Sequence, residues 1–285
     1  MNTPIRHHYI PRMILRNFTD NKGRLHCFYK PAGKIFSTTP DNVLAESHLY
    51  TRQDASGRSD VSAEKKLSLL EGRAQPVIEK IVNAARKRKT PALTSSEKKA
   101  WDEYFCSQFR RLPAARESLP DAELVVENLD RFEEEMRPLT PAEREEFSEP
   151  ELQRKIIHNA WVQIIAAPQG ELLEVLQDKG LVIGFIENAR KSVVTGDNPI
   201  IEIASQGRTS LRVPEVERLF PLAHDTIVTP GLPAGNEKLI VLDDTGYIRQ
   251  LNEEILNKSN FIVGRSRALI ESLSRRRSSL APTPS

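Results

Sequence analysis

Cysteine, long apolar runs and net charge are what this 285-residue chain has least of, and each shortage disfavours a class of protein. Only Cys27 and Cys106 occur, far apart and with no second cysteine near either at metal-ligand spacing, which argues against a disulfide framework and a zinc finger. The opening Met1-Asn2-Thr3-Pro4-Ile5-Arg6 lacks the apolar centre of a signal peptide, and no apolar run reaches the roughly 20 residues of a spanning helix. The expectation is a soluble, cytoplasmic protein of a reducing compartment with no membrane partner. Lys+Arg 41 against Asp+Glu 39 leaves a formal charge of +2, so the whole-chain balance demands neither nucleic acid nor an acidic membrane. Walker, GxGxxG, GxSxG, HExxH and kinase signatures are also missing. Any functional argument therefore rests on local clusters.

The length suits one α+β domain over 1–265: an N-terminal hairpin at 24–39, a helical region at 62–178 and a mostly antiparallel sheet at 181–265. Leu25 to Lys30 and Lys34 to Thr38 are β-rich runs around Pro31-Ala32-Gly33. Leu67, Leu70, Ala74, Val77, Ile78, Ile81 and Ala85 repeat at helical period. Thr94 with Glu97 is a capping-box pattern ahead of Trp101, Tyr104, Phe105 and Phe109, with Pro113 as the limit, and Thr140 with Glu143 is a second. The charged run from Glu117 to Glu149 reads as an exposed helical face. Another helix is expected from Leu152 to Ile165, capped by Ser148, with His158 off its buried stripe and at the surface. After Gly180, short apolar runs punctuated by Gly, Pro, Asn and Asp predict strands, followed by a helix at Ile248 to Lys258 and a strand at Phe261 to Val263. Residues 266–285, with Arg275-Arg276-Arg277, read as a basic tail disordered at its end.

What the sequence does concentrate is polar and aromatic residues near its start. His7-His8-Tyr9-Ile10-Pro11-Arg12 runs into Leu15-Arg16-Asn17-Phe18 in a chain with 6 histidines. A neutral imidazole can exchange a proton or bind a metal. Adjacent residues of a strand point to opposite faces, so at most one histidine enters a given site. Pro11 fits a first helical turn, placing Arg12 and Arg16 on one face. Gln108 and Arg111, three apart on the aromatic helix, could meet a phosphate or carboxylate; the plainer alternative pairs Arg111 with Glu71 or another helix carboxylate. In Thr195-Gly196-Asp197-Asn198-Pro199, Asp197 could act as base, metal ligand or orienter of a histidine, although turn chemistry accounts for the same residues.

Together these motifs resemble a largely bacterial family, domain of unknown function 4238. The likeness is carried by the opening string, Ala45-Glu46-Ser47-His48-Leu49-Tyr50, Glu64 with Glu71, Gln108 to Pro113, Gly196-Asp197-Asn198-Pro199 and Phe220-Pro221-Leu222. The family pattern usually has Ser where this chain has Gly196. The resemblance supplies no reaction, but it directs attention to His7, His8, Arg12, Arg16, Asn17, Glu71, Gln108, Arg111, Asp197 and Asn198.

The leading expectation is a phosphodiester hydrolase resembling a nuclease, a role compatible with bacterial defence or toxin activity. His7 or His8 would be the general acid-base, Asp197 would orient it or hold a divalent metal, and Arg111 would stabilise phosphate charge. Arg12, Arg16, Asn17, Glu71, Gln108 and Asn198 would bind substrate. The alternative is a non-catalytic module for nucleic acid, a nucleotide or a peptide; a third account makes the same residues a buried structural network.

Overall fold

The computed structural model describes residues 6–53, 58–112, 133, 137–204 and 216–280. In chain order the elements begin with β1 (Arg6–His8), α1 (Arg12–Arg16), β2 (Leu25–Tyr29), β3 (Lys34–Thr38), β4 (Ala45–Ser47), β5 (Arg52–Gln53) and β6 (Ser59–Asp60). The helical region holds α2 (Ser62–Arg86), α3 (Ser95–Arg110), α4 (Pro141–Ser148), α5 (Pro150–Ala166) and α6 (Glu171–Gln177). Then come β7 (Lys179–Phe185), β8 (Thr195–Gly196), β9 (Ile201–Ala204), β10 (Val216–Ala223), β11 (Thr226–Pro233), β12 (Lys238–Val241), α7 (Thr245–Lys258), β13 (Phe261–Gly264) and α8 (Arg267–Leu280). The fold is α+β, with the helices packed against mostly antiparallel sheets.

Helical periodicity becomes a buried stripe in α2, where Leu67, Leu70, Ala74, Val77, Ile78, Ile81 and Ala85 all face inward. The capping box of α3 forms as the sequence predicts: Thr94 Oγ1 accepts from the Glu97 N–H, and the Glu97 carboxylate accepts from the Thr94 N–H. Thr140 and Glu143 do the same for α4. Ser148 does not cap α5; its hydroxyl donates back to the Arg144 carbonyl, and Glu149 takes the N-cap position before Pro150. The expectation for His158 also needs correction. The ring is half-buried, with Nε2 3.0 Å from the Thr51 carbonyl and its plane tilted over Trp161.

The predicted strands divide between two sheets. One has the order β12-β7-β11-β10-β9 and is antiparallel except for the β12–β7 pair. The other, β3-β2-β13-β8, joins the N-terminal hairpin to strands from the far end of the chain, with Cys27 opposite Val263. The small pairs β1–β4 and β5–β6 complete the strands. The segment read as the start of a basic tail is helical over Arg267–Leu280, because Ile270 and Leu273 bury an apolar anchor one turn long. The charged run at 117–132, Pro113 and the last five residues lie outside the described residues. Among the described residues, no helix is long and apolar enough to cross a membrane.

The main core forms where α2 and α3 meet the five-stranded sheet. Phe220 of β10 is fully buried among Trp101, Tyr104 and Phe105, with ring centroids 6.3, 6.3 and 6.0 Å away. The aromatic stripe of α3 is therefore core, and its polar positions Gln108 and Arg111 lie at the end of that core.

Candidate functional site

Pairing of β1 with β4 sets His7 opposite Glu46 and turns the two histidines apart. His7 faces inward and is 4% exposed, whereas His8 is half-buried with Nε2 3.2 Å from the Pro40 carbonyl. Beyond β4 the chain reverses at His48, whose φ of 58° lies in the left-handed region. After this turn the Tyr50 N–H donates to His7 Nδ1 at 3.0 Å. A backbone N–H only donates, so the Nδ1 lone pair is filled and the ring proton sits on Nε2. That nitrogen lies 3.1 Å from the Glu64 carboxylate of α2. Tyr50 also stacks on the His7 ring, with centroids 5.6 Å apart and planes within 6°.

Arg111 approaches Tyr50 from the C-terminal end of α3, its guanidinium 5.4 Å from the ring centroid. Its Nη1 donates to Glu71 Oε1 at 2.5 Å, while Nε and Nη2 are buried and have no partner. Gln108 donates from Nε2 to the Tyr9 carbonyl at 2.8 Å and leaves Oε1 without a donor. The buried Tyr104 hydroxyl has no partner either. Burial drives the Tyr50 and Tyr104 phenols well above their ordinary range, which keeps both as donors. The Arg111 side chain is wholly buried and Glu71 is 29% exposed, so the pair runs from the core to the solvent edge of α2.

The other sequence-selected residues lie elsewhere. Asp197 accepts from the Asn260 N–H at 3.0 Å, and its own N–H donates to the Phe261 carbonyl, fastening the turn after β8 to the start of β13. Burial raises its carboxyl above the usual range. Glu64, not Asp197, stands at the histidine. Asn198 directs its N–H to Ser259 Oγ and its amide to the Lys258 carbonyl, both at 3.4 Å. Asn17 ties α1 to β10 by donating to the Leu222 carbonyl at 2.9 Å. Arg12 and Arg16 are exposed, and Arg12 pairs with Asp41 at 2.8 Å.

The structure thus brings His7, Gln108, Arg111 and Glu71 together and adds Tyr50, Glu64 and Tyr104. Glu64 and Glu71 are seven apart on α2 beside its buried stripe, a spacing that places both on one face. That was the available signal for Glu64. As to a cofactor, no group of three or more His, Cys, Asp or Glu side chains that could hold a metal ion occurs among the described residues.

Two residues near the strands give tests of local structure. A Cβ on Gly196 would fall 2.7 Å from the Phe261 carbonyl oxygen and 2.5 Å from Ser259 Oγ. Placing serine there forces the β8–β13 pairing apart, and Gly196→Ser is expected to cost about 2 kcal/mol by urea denaturation, within the range for core overpacking; an unchanged midpoint would contradict the crowding.

At His224, burial lowers the ring to about 4, and Arg265 Nη1, 2.7 Å from Nε2, adds repulsion to its protonated form. The unfolded ring titrates near 6.5 and binds a proton that the folded ring refuses. This contribution is present above pH 6.5 and is lost as pH falls toward 4, amounting to about 3 kcal/mol. His224→Gln should flatten the stability profile across that window. An equally steep profile in the variant would assign the acid sensitivity to other groups.

These features define an α+β protein with an imidazole–carboxylate pair and a guanidinium–carboxylate pair that both lie against one buried tyrosine. The chain belongs to the family described as protein of unknown function (DUF4238), which it matches over residues 6–268. No curated protein and no solved structure matches it.

Proposed function

We propose that this protein binds a phosphate ester of a nucleotide or nucleic-acid strand, with Arg111 as the recognising residue. One observation carries the reading: a buried guanidinium with two N–H-bearing nitrogens, Nε and Nη2, left without acceptors. A desolvated cation with unmet donors is costly to retain in a structural role, and a tetrahedral oxyanion is the ligand that its planar fork meets best. Glu71 engages only Nη1, which leaves the other two nitrogens for the ligand, and the unpartnered Tyr104 hydroxyl offers a further donor.

Arg111→Met tests this because methionine fills a similar volume and removes both the charge and the unmet donors. The variant should fold with little change in midpoint yet bind a nucleoside monophosphate or a short oligonucleotide at least about tenfold more weakly, the scale of a lost charge-assisted hydrogen bond. Equal binding by both proteins in calorimetry would remove Arg111 from the site.

The His7–Glu64 pair supports a second reading, hydrolysis of the phosphodiester. With Nδ1 occupied, the exchangeable base at this position is Glu64, and His7 orients it through Nε2. Water would lose a proton to Glu64 as it attacks phosphorus, the bond from phosphorus to the ester oxygen would break, and that oxygen would leave as an alcohol with a proton returned by Glu64 or taken from solvent. Turnover of RNA, DNA or a model diester that is lost in Glu64→Gln while binding survives supports this reading; binding without turnover leaves the non-catalytic one.

A further inference from the structure

A second group of cations lies outside this cluster. The turn at Arg190 and Lys191, helix α7 and helix α8 enclose a cleft of about 560 Å³, within the size range of small-molecule sites. Arg190, Lys191, Arg249 and Arg276 stand around it with Glu253 as the one carboxylate among its described lining residues. Arg249 Nε donates to Glu253 Oε1 at 3.1 Å, and Arg276 Nη1 donates to the same oxygen. Among the described lining residues four cationic side chains, Arg190, Lys191, Arg249 and Arg276, stand against this one carboxylate.

The cleft is held in shape before any ligand arrives. Asn252 of α7 is 2% exposed, donates to the Ser192 carbonyl at 3.0 Å and accepts from the Val194 N–H at 2.8 Å. Asn188 closes the preceding turn by accepting from the Arg190 N–H at 3.0 Å. The backbone carrying Arg190 and Lys191 is therefore closed by its own turn on one side and fastened to α7 on the other, which reduces the ordering cost of binding. Like charges brought this close repel one another, so the arrangement is stabilised by a multivalent anion.

We propose that this cleft binds the polyphosphate group of a small molecule, at a site separate from the Arg111 cluster. The cations come from three segments and surround one concavity, which suits a compact chain of phosphates better than an extended nucleic-acid backbone. No aromatic side chain is among the described lining residues, so there is no platform for stacking a base. The hydroxyls of Ser192, Thr245, Ser266 and Ser272 are the polar groups that remain to contact phosphate oxygens or a linked sugar.

The experiment is calorimetric titration of the full chain with inorganic triphosphate at fixed ionic strength, followed by ATP and a short single-stranded oligonucleotide. Saturable one-to-one binding is expected, with ATP and triphosphate of similar affinity. Arg190→Ala with Lys191→Ala should weaken it at least about tenfold without moving the unfolding midpoint, since both side chains are exposed. Arg190→Lys with Lys191→Arg should retain it, and so should Arg111→Met, which separates this site from the one proposed above. Absence of saturable triphosphate binding overturns the proposal, as does binding unaffected by the double alanine variant. ATP binding without triphosphate binding, or a preference for the oligonucleotide, overturns it as well.

Discussion

Phe220→Ala is expected to lower stability by about 4 kcal/mol, within the range for truncating a buried aromatic side chain. The ring is fully buried and contacts aromatic residues at three positions of α3. Its loss removes the transfer energy of a phenyl group and also leaves a cavity walled by rigid rings, which cannot collapse as aliphatic side chains can. A chain of this size should show a fall in unfolding temperature on the order of 10 °C. Denaturant unfolding should move in midpoint and keep its slope. A shift below about 1 kcal/mol would mean that β10 and α3 are not joined through this residue.

The second large effect is expected at Glu71. Glu71→Ala leaves the Arg111 guanidinium buried with no counter-charge and with all its donor nitrogens unmet, a change of about 3 kcal/mol. Glu71 lies at the solvent edge, so water entering beside the truncated side chain limits the loss. Combining Glu71→Ala with Arg111→Met should restore most of it, because the uncompensated charge is then gone. The two residues touch, so the double-mutant cycle should be strongly non-additive. Additive losses would show that each residue is held by other partners. This result also bears on phosphate binding: in Glu71→Ala, inorganic phosphate should raise the unfolding midpoint more than in the unaltered protein, since the anion supplies the missing charge.

Elements governed by neighbouring residues were legible in the sequence. The apolar spacing of α2, the reciprocal caps of α3 and α4, and the hairpin around Pro31 to Gly33 all follow from short-range rules. The strand argument for His7 and His8 rests on the same kind of rule, since alternation along β1 sends them to different faces. Partners that depend on tertiary docking were not legible. Glu64 meets His7 only because β1 lies along β4 and α2 runs beneath the turn at Tyr50. Asp197 is drawn instead to Asn260, through a pairing of β8 with β13 that no local pattern announces. The basic run after Arg267 resembled a tail because its arginines and serines outnumber the two apolar residues, Ile270 and Leu273, that fasten it.

The β2–β13 ladder also constrains when the protein can fold. Cys27 and Phe28 pair with Val263 and Ile262, so a strand near the start of the chain gains its central neighbour from a strand near the end. A ribosome releases the N-terminal hairpin long before β13 emerges, and until then the hairpin presents an open edge. Closing that sheet joins contacts separated by roughly the whole chain, a slow step by loop-closure entropy. The N-terminal hairpin must therefore wait until β13 has emerged, and a chain cut short before Phe261 loses structure at β2, far in sequence from the cut.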